Sequence, residues 1–217
     1  GHTHLPMTLF RGLADDEPFE KWLFQTIVPL ESKIVDGDFV KVGTELAVAE
    51  CIRFGVTSVC DMYFFTTEIA DVLDRFGIRG LVAEGILDFP TPDNKGDLAK
   101  SFWYLDQLCE RYLGHDRVSV AVGPHAPYTC SDKTLLTAKA YANKNNLPLV
   151  VHMAETKNEV ENSLSQFHMT PVERFHRLGL FERPTICAHG VHLTEKDMSL
   201  LAKTKTSVIY NPESNMK

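Results

Sequence analysis

The sequence lacks the features that mark several large classes of protein. None of its hydrophobic runs approaches the roughly 18 residues that a membrane-spanning helix requires. It has no excess of positive charge, since 22 lysines and arginines face 29 aspartates and glutamates, for a formal net charge of −7. This acidic balance disfavours binding to nucleic acid or to an anionic membrane surface, because both attract basic residues.

Cysteine is scarce and irregularly spaced. The five cysteines form no C-x-x-C pair and are Cys51, Cys60, Cys109, Cys130 and Cys187. An odd number at wide spacing indicates neither a disulfide framework nor a zinc ribbon. We therefore expect a reduced, cytoplasmic compartment.

Several enzyme motifs are absent as well. No G-x-G-x-x-G follows an early strand, which disfavours a dinucleotide-binding domain. Neither H-E-x-x-H nor H-x-E…P-C-x-x-C occurs, which disfavours a zincin protease and a cytidine-type deaminase. The predicted strand at 118–122 carries no lysine that could bridge two metals after carboxylation, so a one-metal site is favoured over a two-metal site.

What the sequence does contain is an alternation of strand and helix patterns across one domain, residues 1–217. Predicted strands lie at 56–65, 78–87, 118–122, 147–151, 185–188 and 207–210, after a strand-like stub at 1–4. Predicted helices lie at 44–54, 68–76, 98–113, 131–145 and 194–202, with further helical stretches up to about 178. This order predicts a parallel α/β sheet, either doubly wound or closed into a barrel. We favour the barrel, because polar residues rich in histidine follow several strands at their carboxyl ends.

Histidines stand at the ends of three predicted strands. His2 and His4 form an H-x-H pair, and residues two apart on an extended chain point to the same face. His152 ends the apolar run LPLVVH, with Glu155 three residues later, and His189 ends the next strand. A buried imidazole needs partners for its ring nitrogens, and a metal ion satisfies them. The pattern therefore predicts a metal site at the barrel rim.

Each of these features has a simpler interpretation when it is taken alone. An H-x-H pair also occurs in frayed termini and tag remnants, and a core histidine is usually held by hydrogen bonds. Glu155 can join His152 only if the chain leaves the regular strand after His152, because the two side chains would otherwise point to opposite faces. The repetition at successive strand ends favours the metal site.

Six stretches in order along the chain resemble a known family. They are GHTHLPMTLFRG, VTSVCDMYF, GPHAPYTCS, VVHMAET, CAHGVHL and YNPESNMK. Together they resemble the amidohydrolase superfamily, most closely the 5′-methylthioadenosine/S-adenosylhomocysteine deaminases and the related chlorohydrolase-like triazine enzymes. The resemblance implies a (β/α)8 TIM-type barrel that is incomplete here, without strand 8 and the β-sandwich segments.

The resemblance also implies roles for the residues at the strand ends. His2, His4 and His152 match the family's metal ligands, and Glu155 matches its proton shuttle. His189 matches the residue that holds the attacked atom or the metal-bound water.

Three further positions match family residues that contact the nucleoside base and sugar, namely Trp22, Glu31 and His125. From sequence alone, Trp22 is better interpreted as a packing aromatic and Glu31 as a solvated helix charge. Only the resemblance assigns them to a substrate site.

The implied reaction is hydrolytic deamination of an amine-bearing purine nucleoside such as 5′-methylthioadenosine or adenosine. Metal-bound hydroxide would attack the ring and ammonia would leave. One divalent ion would serve, zinc in the first place, with iron or manganese compatible. The alternatives are a guanine- or triazine-type amino- or chlorohydrolase on the same scaffold, and a truncated non-catalytic metal-binding relative. The expected partner is this small molecule, not nucleic acid or a membrane, and a homo-oligomer is left open.

Two departures from the family pattern carry expectations of their own. The family's strand-8 aspartate lies beyond Lys217, and neither Asp61 nor Glu213 stands where that ligand belongs, so we expect the barrel portion of a longer enzyme. Relatives that accept S-adenosylhomocysteine resemble one another in arginines that bind its carboxylate. Near those positions this sequence has Glu84 and Asp97, and their charge predicts a preference for methylthioadenosine, adenosine or another tail-less amine.

Overall fold

The structure is a computed structural model that describes residues 1–216 as parallel strands alternating with helices. The strands are β1 (His2–Thr3), β2 (Ser58–Tyr63), β3 (Arg79–Ile86), β4 (Val118–Pro124), β5 (Leu149–Met153), β6 (Thr185–His189) and β7 (Ser207–Ile209). The α-helices are α1 (Phe19–Lys21), α2 (Val28–Ile34), α3 (Gly37–Arg53), α4 (Thr66–Phe76), α5 (Leu98–Tyr112), α6 (Asp132–Asn145), α7 (Lys157–Phe167), α8 (Pro171–Arg177), α9 (Glu195–Thr204) and α10 (Pro212–Asn215). Within these residues, no helix has both the length and the apolar character needed to span a membrane.

The seven strands form one sheet in which spatial order follows chain order from β1 to β7. A doubly wound sheet reverses direction at a switch point, whereas a barrel adds each new strand on the same side. The ends of the sheet also approach each other, because a Cβ added at Gly1 would lie 2.9 Å from Cγ2 of Ile209. The predicted incomplete TIM-type barrel is therefore confirmed, as seven parallel strands in a nearly closed barrel.

Two apolar layers hold the sheet. A small cluster fills the barrel interior and consists of Cys60, Met62, Ala83, Ala121 and Val150. A larger core lies between the strands and the surrounding helices. Since side chains alternate along a strand, the next inward position on β5 after Val150 is His152, at the carboxyl end of the barrel.

Helix α3 begins seven residues before the predicted start at position 44. The side chain of Asp36 caps it by accepting a hydrogen bond from the Phe39 N–H at 2.9 Å. The chain after β1 crosses helix α3 at Gly43. A larger residue would not fit there, because an added Cβ would come within 2.5 Å of the Pro6 carbonyl oxygen. This close packing fixes the 3₁₀ segment Leu5–Phe10 that directly follows the H-x-H pair.

Candidate active site

A cavity of about 340 Å³ opens at the carboxyl ends of the strands. All eight predicted site residues line it, namely His2, His4, Trp22, Glu31, His125, His152, Glu155 and His189. Most of the remaining wall is apolar and includes Met7, Phe19, Leu23, Ile27 and Phe89. Among the described residues, no lysine or arginine contributes to the wall. The cavity therefore suits a largely uncharged ligand.

Imidazoles from β1, β5 and β6 converge at the base of this cavity. His152 Nε2 lies 3.0 Å from His2 Nε2 and 3.2 Å from His4 Nε2. His189 joins them, since one ring nitrogen each from His2, His152 and His189 lies within 4.8 Å of the other two. The structure thus brings together the three predicted ligands and adds a fourth imidazole beside them.

Two backbone carbonyls set the direction in which these rings present their lone pairs. The Nδ1–H of His152 donates to the His125 carbonyl oxygen at 2.8 Å, and the Nδ1–H of His4 donates to that of Met62. A neutral imidazole that donates through Nδ1 keeps a bare lone pair on Nε2. The Nε2 atoms of His4 and His152 therefore face each other as two acceptors, an arrangement that a cation between them would stabilise.

Burial keeps these rings neutral. It lowers the pKa of His4 to about 4 and that of His125 to about 3. Burial, reinforced by the neighbouring imidazoles, also lowers the pKa of His2 and His152 well below the ordinary value. Neutral imidazole is the form that binds metal, so the cluster is ready to coordinate at neutral pH.

The spacing of the ring nitrogens fits a divalent ion. A tetrahedral zinc ion with Zn–N bonds of about 2.0–2.1 Å separates two nitrogen ligands by about 3.3 Å. The observed Nε2 separations of 3.0 and 3.2 Å are close to that value. His2 Nδ1, by contrast, is buried without a hydrogen-bond partner among the described residues. The residues present therefore fit a metal held through Nε2.

Unusual backbone conformations at two strand ends bring Glu155 and His189 to the cavity. Ala154 and His189 have φ of 50° and 77°, in the left-handed region that residues with a Cβ seldom adopt. In a regular strand the side chains of His152 and Glu155 would point to opposite faces. The turn at Ala154 ends the strand, so both side chains can reach the cavity. Glu155 Oε1 then lies 3.4 Å from His189 Nε2.

The carboxyl of Glu155 is suited to carry a proton. Burial, and then the charge of Glu159, raises its pKa to about 8. His189 is fixed on its other side, because its Nδ1–H donates to Asn215 Oδ1 at 2.7 Å. Burial lowers the pKa of His189, so its Nε2 faces Glu155 as an acceptor. A protonated acid and a neutral base thus stand next to each other at the cavity wall.

The residues expected to contact a nucleoside lie on different sides of the same cavity. Trp22 begins a π-helical turn, Trp22–Ile27, and also packs against the core, so the packing interpretation holds beside its place in the wall. Glu31 is no solvated helix charge, because it is 7% exposed and accepts a hydrogen bond from the Tyr63 hydroxyl at 2.6 Å. Burial raises its pKa to about 7. His125 contacts Thr129 Oγ1 through Nδ1 at 3.0 Å.

Four residues that support the site were missed in the sequence. Tyr63 and Asn215 hold Glu31 and His189, Thr129 contacts His125, and Glu159 binds the backbone beside Glu155. Tyr63 and Asn215 fall inside the stretches VTSVCDMYF and YNPESNMK, so their position in those stretches was a usable signal. Glu159 had a local signal too, since T-x-x-E predicts a helix start.

Two other acids lie outside the cavity wall. Asp61 is fully buried in β2, where Oδ1 accepts a hydrogen bond from the Leu5 N–H at 2.6 Å. It therefore holds the chain directly after His4. Glu213 is exposed at the start of α10.

The expectation that Glu84 and Asp97 repel a substrate carboxylate is wrong. Glu84 is fully buried in β3 and interacts with Thr66 and Asp93, outside the cavity wall. Burial, the charge of Asp93 and a hydrogen bond to Asp93 raise the pKa of Glu84 well above its ordinary value, so it is protonated and uncharged. Asp97 is exposed and caps α5 by accepting from the Ala99 N–H. A strand acid buried against the surrounding helices and a surface acid look alike in sequence, which explains the error.

Replacing Glu84 by glutamine is expected to reduce the loss of stability as the pH rises above about 4.3. The folded chain keeps a proton on Glu84 that the unfolded chain releases above a pKa of about 4.3. This contribution is complete below that pKa and is lost as pH rises through the folded pKa, by up to about 1.4 kcal/mol per pH unit. Urea unfolding at a series of pH values measures the slope. Parallel profiles for Glu84→Gln, the surface control Glu110→Gln and the wild type would contradict the assignment.

Comparison with known proteins places these features in context. The family model described as "Amidohydrolase family" matches residues 1–217. The chain is 42% identical over 216 residues to a 5-methylthioadenosine/S-adenosylhomocysteine deaminase of Syntrophobacter fumaroxidans, covering 100% of this chain and 49% of that relative. An adenosine deaminase structure from Xanthomonas campestris with bound zinc has a TM-score of 0.94 and 40% identity, covering 100% of this chain and 49% of the other.

A more distant structure shares the fold alone. It is an atrazine chlorohydrolase from Arthrobacter aurescens, with a TM-score of 0.84 and 17% identity over 99% of this chain and 53% of the other. The chain spans about half the length of the relatives it matches.

Proposed function

The chain belongs to the amidohydrolase family, as its sequence predicted, and we propose that it forms the catalytic barrel of a metal-dependent deaminase. The proposed substrate is an adenine nucleoside such as 5′-methylthioadenosine or adenosine. Water replaces the exocyclic amine, so the products are the corresponding inosine derivative and ammonia. The observation that supports this most directly is the convergence of neutral imidazoles beside a protonatable carboxyl in one apolar cavity.

We propose that His2, His4 and His152 hold one divalent ion, with His189 beside it. Imidazole nitrogen suits zinc, and the Xanthomonas campestris relative is described with bound zinc. A divalent ion bound there would lower the pKa of water to about 7 and so supply a nucleophile at neutral pH. The carbonyls of Met62 and His125 fix the ring orientation of two of the ligands.

Glu155 is the proposed proton shuttle. Its raised pKa of about 8 lets the carboxyl donate a proton to the ring nitrogen next to the attacked carbon. Protonation there keeps negative charge from accumulating on the purine as the carbon becomes tetrahedral. His189, held by Asn215, presents Nε2 toward Glu155 and would orient the water for attack.

The rest of the cavity suits a nucleoside. Trp22, Phe19 and Phe89 give apolar faces on which a purine can stack. Glu31 would accept hydrogen bonds from ribose hydroxyls, and Tyr63 holds it in place. His125 would provide a further polar contact to the substrate.

We propose that the substrate carries an uncharged 5′ substituent. The described wall has no lysine or arginine to bind a carboxylate. Arg174, on the neighbouring surface groove, is already bound to Asp132 and to the carbonyls of Pro127 and Cys130. A charged tail entering here would be desolvated without a partner. The proposed preference for substrates without a charged tail therefore rests on the residues of the described cavity wall.

The proposal is tested by ammonia release from the complete natural polypeptide loaded with zinc. The expected substrates are adenosine and 5′-methylthioadenosine. We expect kcat/KM for 5′-methylthioadenosine to be at least about tenfold above that for S-adenosylhomocysteine, because burying one polar group without a partner costs about that factor. Guanine and an amino- or chlorotriazine serve as controls for the alternative chemistries. Turnover of a control in preference to every adenine nucleoside would contradict the proposed function, and equal rates on the two adenosine conjugates would contradict the uncharged tail.

A further inference from the structure

The turn that presents Glu155 is held by a second buried carboxylate. After β5 the backbone N–H groups of Ala154 and Glu155 donate to no backbone carbonyl of the described residues. Glu159 Oε1 accepts from the Ala154 N–H at 2.8 Å, and Oε2 accepts from the Glu155 N–H at 2.9 Å. Glu159 is only 4% exposed, so each of its oxygens serves one otherwise unpaired backbone donor.

Comparison with two other helices of the chain shows that this arrangement is special to the site. Helix α8 starts with a regular capping box, in which Glu173 accepts from the N–H of the capping residue Thr170 at 2.9 Å. Helix α9 does the same with Asp197. Helix α7 also begins with a threonine, Thr156, but Glu159 reaches past it to the two preceding residues.

The conformation that this carboxylate supports is one the chain would otherwise avoid. Ala154 adopts φ of 50°, which is disfavoured for a residue with a Cβ. Its carbonyl accepts from the N–H groups of Val191 and His192, in the loop that follows His189. The same turn therefore ties the end of β5, which precedes Glu155, to the end of β6, which carries His189.

We propose that Glu159 is the positioning residue that sets the reach of Glu155 into the cavity. It does so by clamping the left-handed turn through both carboxylate oxygens. The inference rests on the proposed function in one respect, because it takes Glu155 as the proton shuttle. The clamp itself is a statement about two backbone amides and can be tested without turnover.

The variant Glu159→Gln changes one atom of the clamp and also removes the Glu159 charge that contributes to the raised pKa of Glu155, whereas Glu159→Asp keeps that charge. A glutamine offers one oxygen for two N–H groups, and its NH₂ would face an N–H donor. A displacement of about 1 Å at a reacting group lowers the rate by up to about 10²-fold, so we expect kcat to fall by about 10- to 100-fold. KM and zinc content are expected to stay within about twofold, since the imidazoles and the residues proposed to contact the base and sugar are untouched.

The matched control is Glu173→Gln, which makes the same change at the same helix position of α8. Glu173 takes no part in the cavity wall, so its kcat is expected to match the wild type within about twofold. The second variant, Glu159→Asp, keeps both oxygens but withdraws them by one methylene. Its kcat is expected to fall between those of the wild type and Glu159→Gln.

Hydrogen exchange gives the readout that does not depend on activity. The amides of Ala154 and Glu155 are expected to exchange at least about tenfold faster in Glu159→Gln, because the loss of one hydrogen bond produces a factor of about that size. In Glu173→Gln their exchange rates are expected to equal those of the wild type. Unchanged exchange in both Glu159 variants, or a kcat loss no greater than that of Glu173→Gln, would overturn the inference. If the wild type released no ammonia, the proposed function would fail, and the exchange rates would still decide the clamp.

Discussion

Glutamine in place of Glu155 is expected to lower kcat by about 10² to 10⁴ while the bound metal stays at the wild-type level. The amide has the size of the protonated acid but cannot transfer a proton to the substrate. The imidazole Nε2 atoms that would hold the ion lie on β1, directly after β1 and on β5, and they do not depend on this carboxyl. Steady-state kinetics together with elemental analysis of the same preparation measures both quantities.

A surface glutamate of the following helix provides the control. Glu161 lies on α7, where it pairs with Lys157 and is largely exposed. Glu161→Gln is expected to keep wild-type kcat. If Glu155→Gln kept kcat within a few-fold of the wild type, the proton-shuttle role would be refuted. If it lost its metal together with its activity, Glu155 would belong to the metal site instead.

Alanine in place of His152 is expected to remove the metal and, with it, turnover. His152 Nε2 is the atom shared by both short imidazole contacts, to His2 and to His4. Changes to groups that only orient a ligand lower metal affinity by about 10- to 100-fold, so loss of the ligand itself should cost at least about 100-fold. Competition with a chromophoric chelator measures the affinity.

An exposed histidine tests whether this effect is specific. His176 lies on the outer surface of α8, and His176→Ala is expected to bind metal as the wild type does. Wild-type metal affinity in His152→Ala would exclude His152 as a ligand. The proposed metal site would then have no ligand on β5, because no other residue of that strand is assigned to it.

Much of the barrel could be predicted from local patterns. The strands at 78–87 and 185–188 and the helix at 98–113 fall within one or two residues of β3, β6 and α5. Those segments have strong periodicity and clear turn residues, so local and tertiary preferences agree. The start of α3 was misplaced because Gly43 serves a contact with Pro6, which no local pattern reveals.

The candidate site was predictable where a residue's role follows from its place at a strand end. His2, His4, His152 and His189 needed only the strand ends and the rule that parallel strands end at one rim. The sequence also predicts that the chain must turn after His152 for Glu155 to reach the cavity. The structure has this turn at Ala154, whose φ is 50°.

The remaining features depend on contacts between distant segments. Glu31 is buried and accepts a hydrogen bond from Tyr63, which lies thirty-two residues later in the chain. Burial, and then Asp93, raises the pKa of Glu84 well above its ordinary value, although the Thr66 hydroxyl donates a hydrogen bond to it. A carboxylate on a predicted helix or strand looks the same in sequence whether it ends in solvent or against another acid, so tertiary packing decides its charge.

The central claim is that imidazoles remote in sequence share one cation at the rim of the barrel. Anomalous diffraction at the zinc edge, from crystals of the complete natural polypeptide grown with zinc, tests it directly. The account predicts a single peak about 2.0–2.1 Å from the Nε2 atoms of His2, His4 and His152. A peak elsewhere, or none among these three rings, would contradict it.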